Sequence, residues 1–154
     1  MNDRQQRWQA AEHLALTLAE GGLQRMAART LAMFLFTDQQ SITAGEIAER
    51  LEASAGSVSA AVKSLLSVGL IERLPAPGSR REHYRLRDDA WAILFTSQNT
   101  VIQVMLRAAQ TGIDTTTADD PAHRRLTQMR DFYQFMLGEI PAMLERWHQR
   151  QHAR

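Results

Sequence analysis

Two helix-capping signals in the middle of the chain restrict its fold more than any other feature. Thr43 and Glu46 match a capping box, in which the threonine oxygen accepts the amide of the third helical residue and the glutamate reaches back to the threonine amide. Ser54 is a second N-cap signal, and it follows the apolar residues Ile47 and Leu51 of the first short helix. The spacing predicts two short helices that are joined by a tight turn.

The pattern after the second cap predicts another helix and then a hairpin. The helix spans Ala55 to Val68, and Gly69 is well placed as its left-handed C-terminal cap. Residues 70–74 and 81–86 follow the pattern of short strands, and the prolines and glycine of residues 75–80 favour a turn between them. We therefore expect a two-stranded hairpin with an exposed tip. The whole order is that of a helix-turn-helix with a wing.

One face of the second predicted helix carries only small or polar side chains. Apolar residues recur on the opposite face, so this face is left to solvent or to a partner. Small side chains allow the backbone to approach DNA closely, while serine hydroxyls and the first amides of the helix donate to phosphate. A merely solvated surface is the plainer alternative. The residues predicted to contact DNA here are Ser54, Gly56, Ser57, Ser59, Ala60, Lys63 and Ser64.

Positive charge is concentrated in the predicted hairpin. The 154-residue chain has 18 basic and 17 acidic side chains, and this net charge of +1 argues against a protein that is basic throughout. Between residues 73 and 87, however, five arginines accompany a single glutamate, a local net charge of +4. Such a wing suits the DNA backbone or minor groove, although charge on an edge strand also prevents aggregation. The predicted wing contacts are Arg73, Ser79, Arg80, Arg81 and Arg85.

Missing residue types and motifs exclude several classes of function. The chain contains no cysteine, which rules out disulfide scaffolds, thiolate metal sites, cysteine nucleophiles and thiol-based redox sensing. It has no phosphate-binding loop, dinucleotide fingerprint, nucleophile elbow or metalloprotease motif, so we expect neither an enzyme nor a bound cofactor or metal. With no signal sequence and no apolar run of about 20 residues, we expect a cytoplasmic protein without a membrane partner.

Two helices are predicted before the winged unit, over residues 3–20 and 23–37. The first is amphipathic, whereas the second is apolar enough to be buried. Arg25 and Arg29 begin the second helix on one side. We expect them to form ion pairs with the first helix, and a ligand pocket or a dimer cleft is the alternative setting. The candidate acidic partners are Glu12 and Glu20.

A long helix is predicted at the end of the chain, after a helix to about Gln110 and a polar connector over residues 111–119. It begins with Asp120 as cap and Pro121 at the first helical position. At about 1.5 Å per residue it is roughly 40 Å long, too long to bury its apolar seam on so small a domain, even with a kink at Pro141. The seam consists of Leu126, Met129, Tyr133, Met136, Ile140, Met143 and Trp147.

Several segments resemble the MarR-type winged-helix transcription regulators. They are residues 42–51 (ITAGEIAERL), 54–59 (SAGSVS), 69–73 (GLIER) and 77–86 (PGSRREHYRL), and residues 22–29 (GLQRMAAR) add a similarity to the GbsR-like branch. The resemblance implies that residues 55–68 form the recognition helix and that Arg80 and Arg81 lie at the wing tip. The family often carries an aspartate-arginine pair in the wing, whereas the tip here is Pro-Gly-Ser-Arg-Arg. Which arginine enters the minor groove therefore stays open.

The same resemblance implies a symmetric dimer that is built by the first helix and the last two. Trp8 and the seam of the long helix would form its interface. We therefore predict a mainly α fold with a small β-wing, a winged helix-turn-helix that is flanked by dimerisation helices. The expected division is N-terminal helices in residues 1–37, the DNA-binding unit in residues 38–88 and C-terminal dimerisation helices in residues 89–154.

The predicted function is that of a sequence-specific DNA-binding transcription regulator. It would bind a pseudo-palindromic operator as a homodimer and repress transcription. Its partners would be double-stranded DNA and a second copy of itself. Control by a small-molecule effector is left open. The alternative is a small-molecule-sensing or helical protein-interaction module that does not bind DNA.

Overall fold

The computed structural model describes residues 2–97 and 99–154, and it is mainly helical. Its helices are α1 (Asp3–Glu20), α2 (Arg25–Phe36), α3 (Ala44–Leu51), α4 (Ala55–Ser67), α5 (Ala90–Ser97), α6 (Asn99–Ile113) and α7 (Pro121–His152). Its strands are β1 (Ile42–Thr43), β2 (Ile71–Leu74) and β3 (His83–Leu86). These elements confirm the predicted fold class. The contacts divide the chain into two compact units, one up to Ile93 and one from Leu94 onward.

The core of the first unit is centred on α2. Most of residues 27–34 are buried, because α2 packs against α1 on one side and against α4 on another. Arg29 of α2 pairs with Glu12 of α1 at 3.0 Å, which confirms one of the expected ion pairs. This packing holds α4 by its apolar face and leaves the opposite face exposed. The largest fully buried side chains of the unit include Leu31, Ile42, Ile47, Val58, Leu65, Leu70 and Ile71.

The two strands of the predicted hairpin pair as β2 and β3, and the short β1 adds a third strand to the sheet. The strand order is β1-β3-β2, and β3 is antiparallel to both neighbours. β1 contributes only two residues, with Ile42 opposite Tyr84 and Thr43 opposite His83. A segment this short shows no alternation of apolar and polar residues by which the sequence could predict its pairing.

Both strands of the hairpin begin later than predicted. Gly69 takes a φ of 78°, which confirms it as the left-handed residue after α4. The amide of Leu70 then donates to the carbonyl of Leu65 at 3.0 Å, so Leu70 still belongs to the helix end. At the other side of the tip, the Ser79 hydroxyl accepts the Arg81 amide at 3.2 Å, which keeps Arg81 in the turn and out of the strand.

The helix-turn-helix is held by the two caps that the sequence predicts. The Thr43 hydroxyl accepts the amide of Glu46 at 3.2 Å, and the Glu46 carboxylate accepts the amide of Thr43 at 2.7 Å. Ser54 accepts the amide of Ser57 at 3.1 Å at the start of α4. Between the two helices, Glu52 takes a φ of 50° and ends α3. The turn is therefore short and fixed on both sides.

The second unit is a helical hairpin of α6 and α7. α6 extends to Ile113, three residues into the predicted connector, and within it the Thr111 hydroxyl donates to the carbonyl of Arg107 at 3.0 Å. α7 begins at Pro121 with Asp120 as its cap, as predicted, and it continues through Pro141. Gln98, inside the helix predicted to reach about Gln110, lies outside the described residues, and α5 and α6 lie on its two sides.

α6 and α7 approach each other closely at one glycine. A Cβ on Gly112 would lie 2.9 Å from Cδ1 of Leu126, closer than ordinary van der Waals contact. The missing side chain therefore sets how near the two helices can pack. Within the described part of the chain, none of the helices is both long enough and apolar enough to span a membrane.

Candidate DNA-binding surface

All the residues of α4 and its N-cap that the sequence predicts to contact DNA lie on the exposed face of this helix. The apolar side chains Val58, Val62 and Leu65 are buried against the rest of the first unit, which turns the small residues outward. The hydroxyls of Ser54 and Ser57 lie 2.7 Å apart, so this pair both caps the helix and lies at the exposed surface. The residues that line this face are Ser54, Gly56, Ser57, Ser59, Ala60, Lys63 and Ser64.

The wing tip is a tight turn that exposes two arginines. Gly78 takes a φ of 83°, a conformation that favours glycine. The Ser79 hydroxyl accepts the Arg81 amide and lies 3.3 Å from Nε2 of His83. Arg80 and Arg81 are both exposed beside it. Ser79, predicted as a DNA contact, therefore also shapes the turn that carries these arginines.

Two of the predicted wing contacts are paired with carboxylates of the hairpin. Arg85 lies opposite Glu72 in the strand register, and its Nε is 2.7 Å from the Glu72 carboxylate. Nε of Arg73 is 3.4 Å from the carboxylate of Glu82. Glu82 also accepts the hydroxyl of Tyr84 at 2.6 Å, and this hydrogen bond holds the pKa of Glu82 below its ordinary value. The charges of Arg73 and Arg85 are thus partly offset before any partner binds.

The positive charge of the wing is therefore smaller than the sequence count indicates, and it is greatest at the tip. Arg87 pairs with Asp89 at 3.1 Å. Both Asp89 and Glu72 lie just outside the counted segment of residues 73–87. Arg80 and Arg81 form no ion pair with any residue that the structure describes. The sequence count missed Glu72 because a cross-strand neighbour is identified only when the register is known, and it missed Asp89 because the counted segment ends at residue 87.

Arg81 lies toward the start of α3. Its Nη1 is 3.9 Å from the position that a Cβ on Gly45 would take. The guanidinium therefore lies beside the first turn of the helix-turn-helix. The charge of Arg81 is consequently close to the first helix of the helix-turn-helix.

The structure distributes the predicted dimer residues over two sides of α7. Leu126 packs against Gly112 of α6 and so contributes to the helical hairpin of a single chain, and Ile140 is buried. Met129 and Tyr133 are half-buried. The remaining members are exposed, and they are Met136, Met143 and Trp147 on α7 together with Trp8 on α1.

Two phenylalanines on α7 are exposed and were missed by the sequence analysis. Phe132 is 58% exposed and Phe135 is 64% exposed. A strict heptad pattern drifts by about 20° per repeat around a straight helix, so a seam that begins on the side of α6 ends on the solvent side. Counting positions at the α-helical period of 3.6 would have grouped both phenylalanines with Met136 and Met143.

Two clefts open on the first unit. The larger, of about 1180 Å³, is lined by α1, α2 and the end of α3, with Trp8, Met33 and Phe36 among its apolar residues and Arg4 and Arg7 among its charged ones. The smaller, of about 580 Å³, lies between the first turn of α2 and α4. Among residues 2–97 and 99–154, no group of three or more His, Asp or Glu side chains is placed to hold a metal ion.

Comparisons with known proteins identify relatives over most of the chain. A family model described as MmpR5-like MarR family transcriptional regulator matches residues 89–150, and a model described as MarR family matches residues 21–82. The HTH-type transcriptional regulator MmpR5 of Mycobacterium tuberculosis (strain ATCC 25618 / H37Rv) is 33% identical over 129 residues, which cover 83% of this chain and 78% of that protein.

Solved structures are similar as well. A crystal structure that is described as a transcriptional regulator has 29% sequence identity and a TM-score of 0.73, and the match covers 94% of this chain and 99% of that one. MepR, a transcription regulator of the Staphylococcus aureus multidrug efflux pump MepA, is more distant. Its identity is 18% and its TM-score 0.44, with 89% of this chain and 92% of that chain covered.

Proposed function

The chain belongs to the MarR family of transcription regulators, and on that premise we propose that it is a repressor that binds a pseudo-palindromic DNA operator as a homodimer. Members of this family are not enzymes, which confirms that expectation from the sequence. The matching model for the C-terminal part is MmpR5-like, so the GbsR-like branch stays a prediction. The proposed division places DNA binding in residues 38–88 and dimerisation in the helices before and after them.

One observation carries the DNA-binding proposal: α4 exposes a face of small residues, and the wing tip exposes two arginines that form no ion pair with any described residue. A helix with its side chains is about 10–12 Å wide, which fits the B-DNA major groove of about 12 Å. With α4 in the groove, Ser57, Ser59 and Lys63 reach base edges and phosphates. Arg80 and Arg81 contact the backbone or enter the minor groove.

The dimer proposal is supported by a second apolar stripe on both helices of the second unit. α6 buries Ala109 and Ile113 in the hairpin but exposes Val101, Val104 and Met105. α7 likewise buries Ile140 but exposes a stripe of large residues. A monomer rarely leaves contiguous apolar stripes of this kind in water. The exposed residues of α7 are Phe132, Phe135, Met136, Met143 and Trp147. A second copy of the chain covers them in this proposal.

A two-fold dimer determines the arrangement of the operator. Two copies of α4 then enter successive major grooves, so the half-sites are about 34 Å, or one helical turn, apart.

Effector control is the last part of the proposal. The larger cleft of the first unit combines the apolar Trp8 and Phe36 with charged side chains of both signs, which suits a small molecule with apolar and polar parts. A ligand that prefers one spacing of the two winged units would shift the population toward that spacing.

A DNA-binding titration tests the function directly. Genomic fragments, including the promoter region of the protein's own gene, are titrated with the protein at about 0.1 M salt in the presence of competitor DNA. We expect a competitor-resistant complex whose footprint covers two half-sites. A chain that forms no such complex with any fragment would not be a DNA-binding regulator, and the sensing or interaction alternatives would then apply.

Wing variants test the assignment of residues. Arg80→Ala and Arg81→Ala should each weaken binding to all sequences and lower the salt slope by about 0.9 for each phosphate that the variant no longer neutralises. Arg85→Ala should have a smaller effect, because Glu72 already offsets its charge. Arg107→Ala, an exposed arginine of α6, is the matched control for the removal of one charge. Equal effects of all four substitutions would contradict the assignment of the wing tip to DNA.

A further inference from the structure

The smaller cleft of the first unit places arginines beside the exposed face of α4. Its volume is about 580 Å³, and it separates the first turn of α2 from one flank of α4. None of the described residues that line it is acidic. The wall on α4 is made only of small side chains, so the cleft stays open in front of the arginines. The lining residues are Gln24, Arg25, Met26 and Arg29 of α2 with Ser57, Ala60, Ala61 and Ser64 of α4.

The two arginines of this cleft differ in their partners. Arg29 is half-buried, and it donates to Glu12 through Nε at 3.3 Å and Nη2 at 3.0 Å. Arg25 is exposed and forms no ion pair with any residue of the described ranges 2–97 and 99–154. The ion pair that the sequence predicts for Arg25 is therefore absent among these residues. Arg25 is the cation of the cleft that remains available to an external anion.

Arg25 is also held by an ordered element. Oε1 of Gln24 accepts the amide of Ala27 at 2.9 Å and so caps the start of α2. The helix in turn is packed against α4 by its buried residues. The backbone of Arg25 is thus fixed relative to α4, which is the condition for a guanidinium to meet a ligand that α4 positions.

We propose that Arg25 binds a DNA backbone phosphate when α4 occupies the major groove. Because a helix nearly fills this groove, the phosphates of the two strands lie along both flanks of the helix. The side chains of Ser57, Ala60 and Ser64 on one flank of α4 are short, so a phosphate group has room to approach the cleft. A guanidinium can hold two phosphate oxygens at once. The inference rests on the proposed DNA-binding function, and it extends the DNA surface from residues 38–88 to α2.

Salt-dependent binding of substituted full-length protein tests this inference. Arg25→Gln removes the charge, Arg25→Lys keeps it, and Arg107→Gln removes a charge from an exposed position on α6. Binding is measured by fluorescence anisotropy on an operator fragment and on a random duplex of equal length, over a series of salt concentrations. Thermal unfolding of each variant checks the fold, and Arg25→Ala serves as a second neutral variant.

We expect Arg25→Gln and Arg25→Ala to weaken binding to both duplexes by about tenfold and to lower the salt slope by about 0.9, since a phosphate contact carries no sequence information. Arg25→Lys should keep the slope of the wild type. If the wild type binds its operator and Arg25→Gln behaves like Arg107→Gln, the role of Arg25 is refuted while the proposed function stands. If the wild type itself forms no competitor-resistant complex, both fail.

Discussion

At the scale of single residues, two buried threonines show that the effect of a hydroxyl on stability depends on whether it has a hydrogen-bond partner. Thr30 is 0% exposed, and its Oγ1 has no hydrogen-bond partner among the described residues. Thr43 is also buried, but its Oγ1 accepts the amide of Glu46. An unpaired buried hydroxyl opposes folding, whereas a capping hydroxyl favours it.

The substitution of each threonine by valine should therefore have opposite effects. Thr30→Val removes the unpaired hydroxyl at nearly constant volume and should raise the free energy of unfolding by about 1 kcal/mol. Thr43→Val removes a cap and should lower it by about 1 kcal/mol. Urea unfolding at one fixed protein concentration measures both. A destabilised Thr30→Val variant would show that its hydroxyl is paired in solution.

The capping box also predicts a dependence of stability on pH. The amide of Thr43, which donates to the carboxylate, holds the pKa of Glu46 below its ordinary value of 4.5. Because the folded-state pKa is the lower one, the carboxylate stabilises the fold above pH 4.5, and this contribution disappears as the pH falls through the lowered pKa.

Glu46→Gln keeps an acceptor at this position but cannot titrate. The stability that the wild type has in excess of this variant near neutral pH should shrink as the pH falls below about 4.5. Urea midpoints over a series of pH values give this difference directly. Parallel curves for the two proteins would mean that Glu46 does not contribute through its charge.

The interactions that the sequence predicted correctly join residues that lie close together in the chain. The capping box of Thr43 and Glu46 and the cap of Ser54 are defined within one helical turn, so their spacing alone predicts them. The partner of Arg85 depends instead on which residue of β2 lies opposite, and this follows from the register of the sheet. The position of Arg25 beside α4 was likewise not predictable from the sequence, because it arises from the packing of α2 against α4.

At the scale of elements, the glycines of α6 and α7 have different surroundings. A Cβ on Gly138 of α7 would meet nothing within 4 Å, whereas a Cβ on Gly112 would meet Leu126 at 2.9 Å. Alanine is favoured over glycine in a helix interior by about 0.8–1.0 kcal/mol. An alanine at position 138 can therefore stabilise the helix by this amount, whereas an alanine at position 112 must first displace the side chain of Leu126.

Gly138→Ala should therefore raise the free energy of unfolding by about 0.5–1 kcal/mol. Gly112→Ala should gain less or become destabilising, because Leu126 has to move. Combining Gly112→Ala with Leu126→Ala in a double-mutant cycle should reveal coupling between the two sites. Thermal unfolding of the single and double variants provides the measurement, and additive effects would argue against the close approach of the helices.

Element bounds were predictable where a cap or a glycine marks them. The starts of α3, α4 and α7 follow from Thr43, Ser54 and the Asp120-Pro121 pair. The pairing of the third strand was not predictable, because two residues cannot display a period of two. The apolar seam of α7 was placed on one face because it was counted as a strict heptad, and the exposed Phe132 and Phe135 fell outside that count.

At the scale of the whole molecule, the proposed dimer depends on the exposed apolar stripe of α7. Phe132 and Phe135 are the most exposed large side chains of that stripe. Aromatic side chains at the centre of an interface often contribute about 2 kcal/mol or more, which corresponds to about 30-fold in affinity. The removal of both should therefore be visible in the oligomeric state.

The double substitution Phe132→Ser and Phe135→Ser should raise the dimer dissociation constant by about 100-fold or more. It should also weaken operator binding, because two linked half-sites bind far better than one. Sedimentation equilibrium measures the first effect. Val68→Ser removes an exposed apolar side chain next to α4 and serves as the control. A monomeric wild type, or a dimer that the double substitution leaves unchanged, would contradict the proposed interface.

In the proposed complex with DNA, the composition of the exposed face of α4 also determines how much side-chain entropy is lost on binding. Ser57, Ser59, Ala60 and Ser64 have few rotamers or none, so they lose little side-chain entropy when DNA covers them, whereas an immobilised arginine or lysine loses about 1.5–2 kcal/mol. Side chains this short touch few base atoms directly. In this proposal, bridging water molecules and the bendability of the operator add to the selectivity of the few direct base contacts. Operator changes at base pairs that the protein never touches should consequently alter affinity.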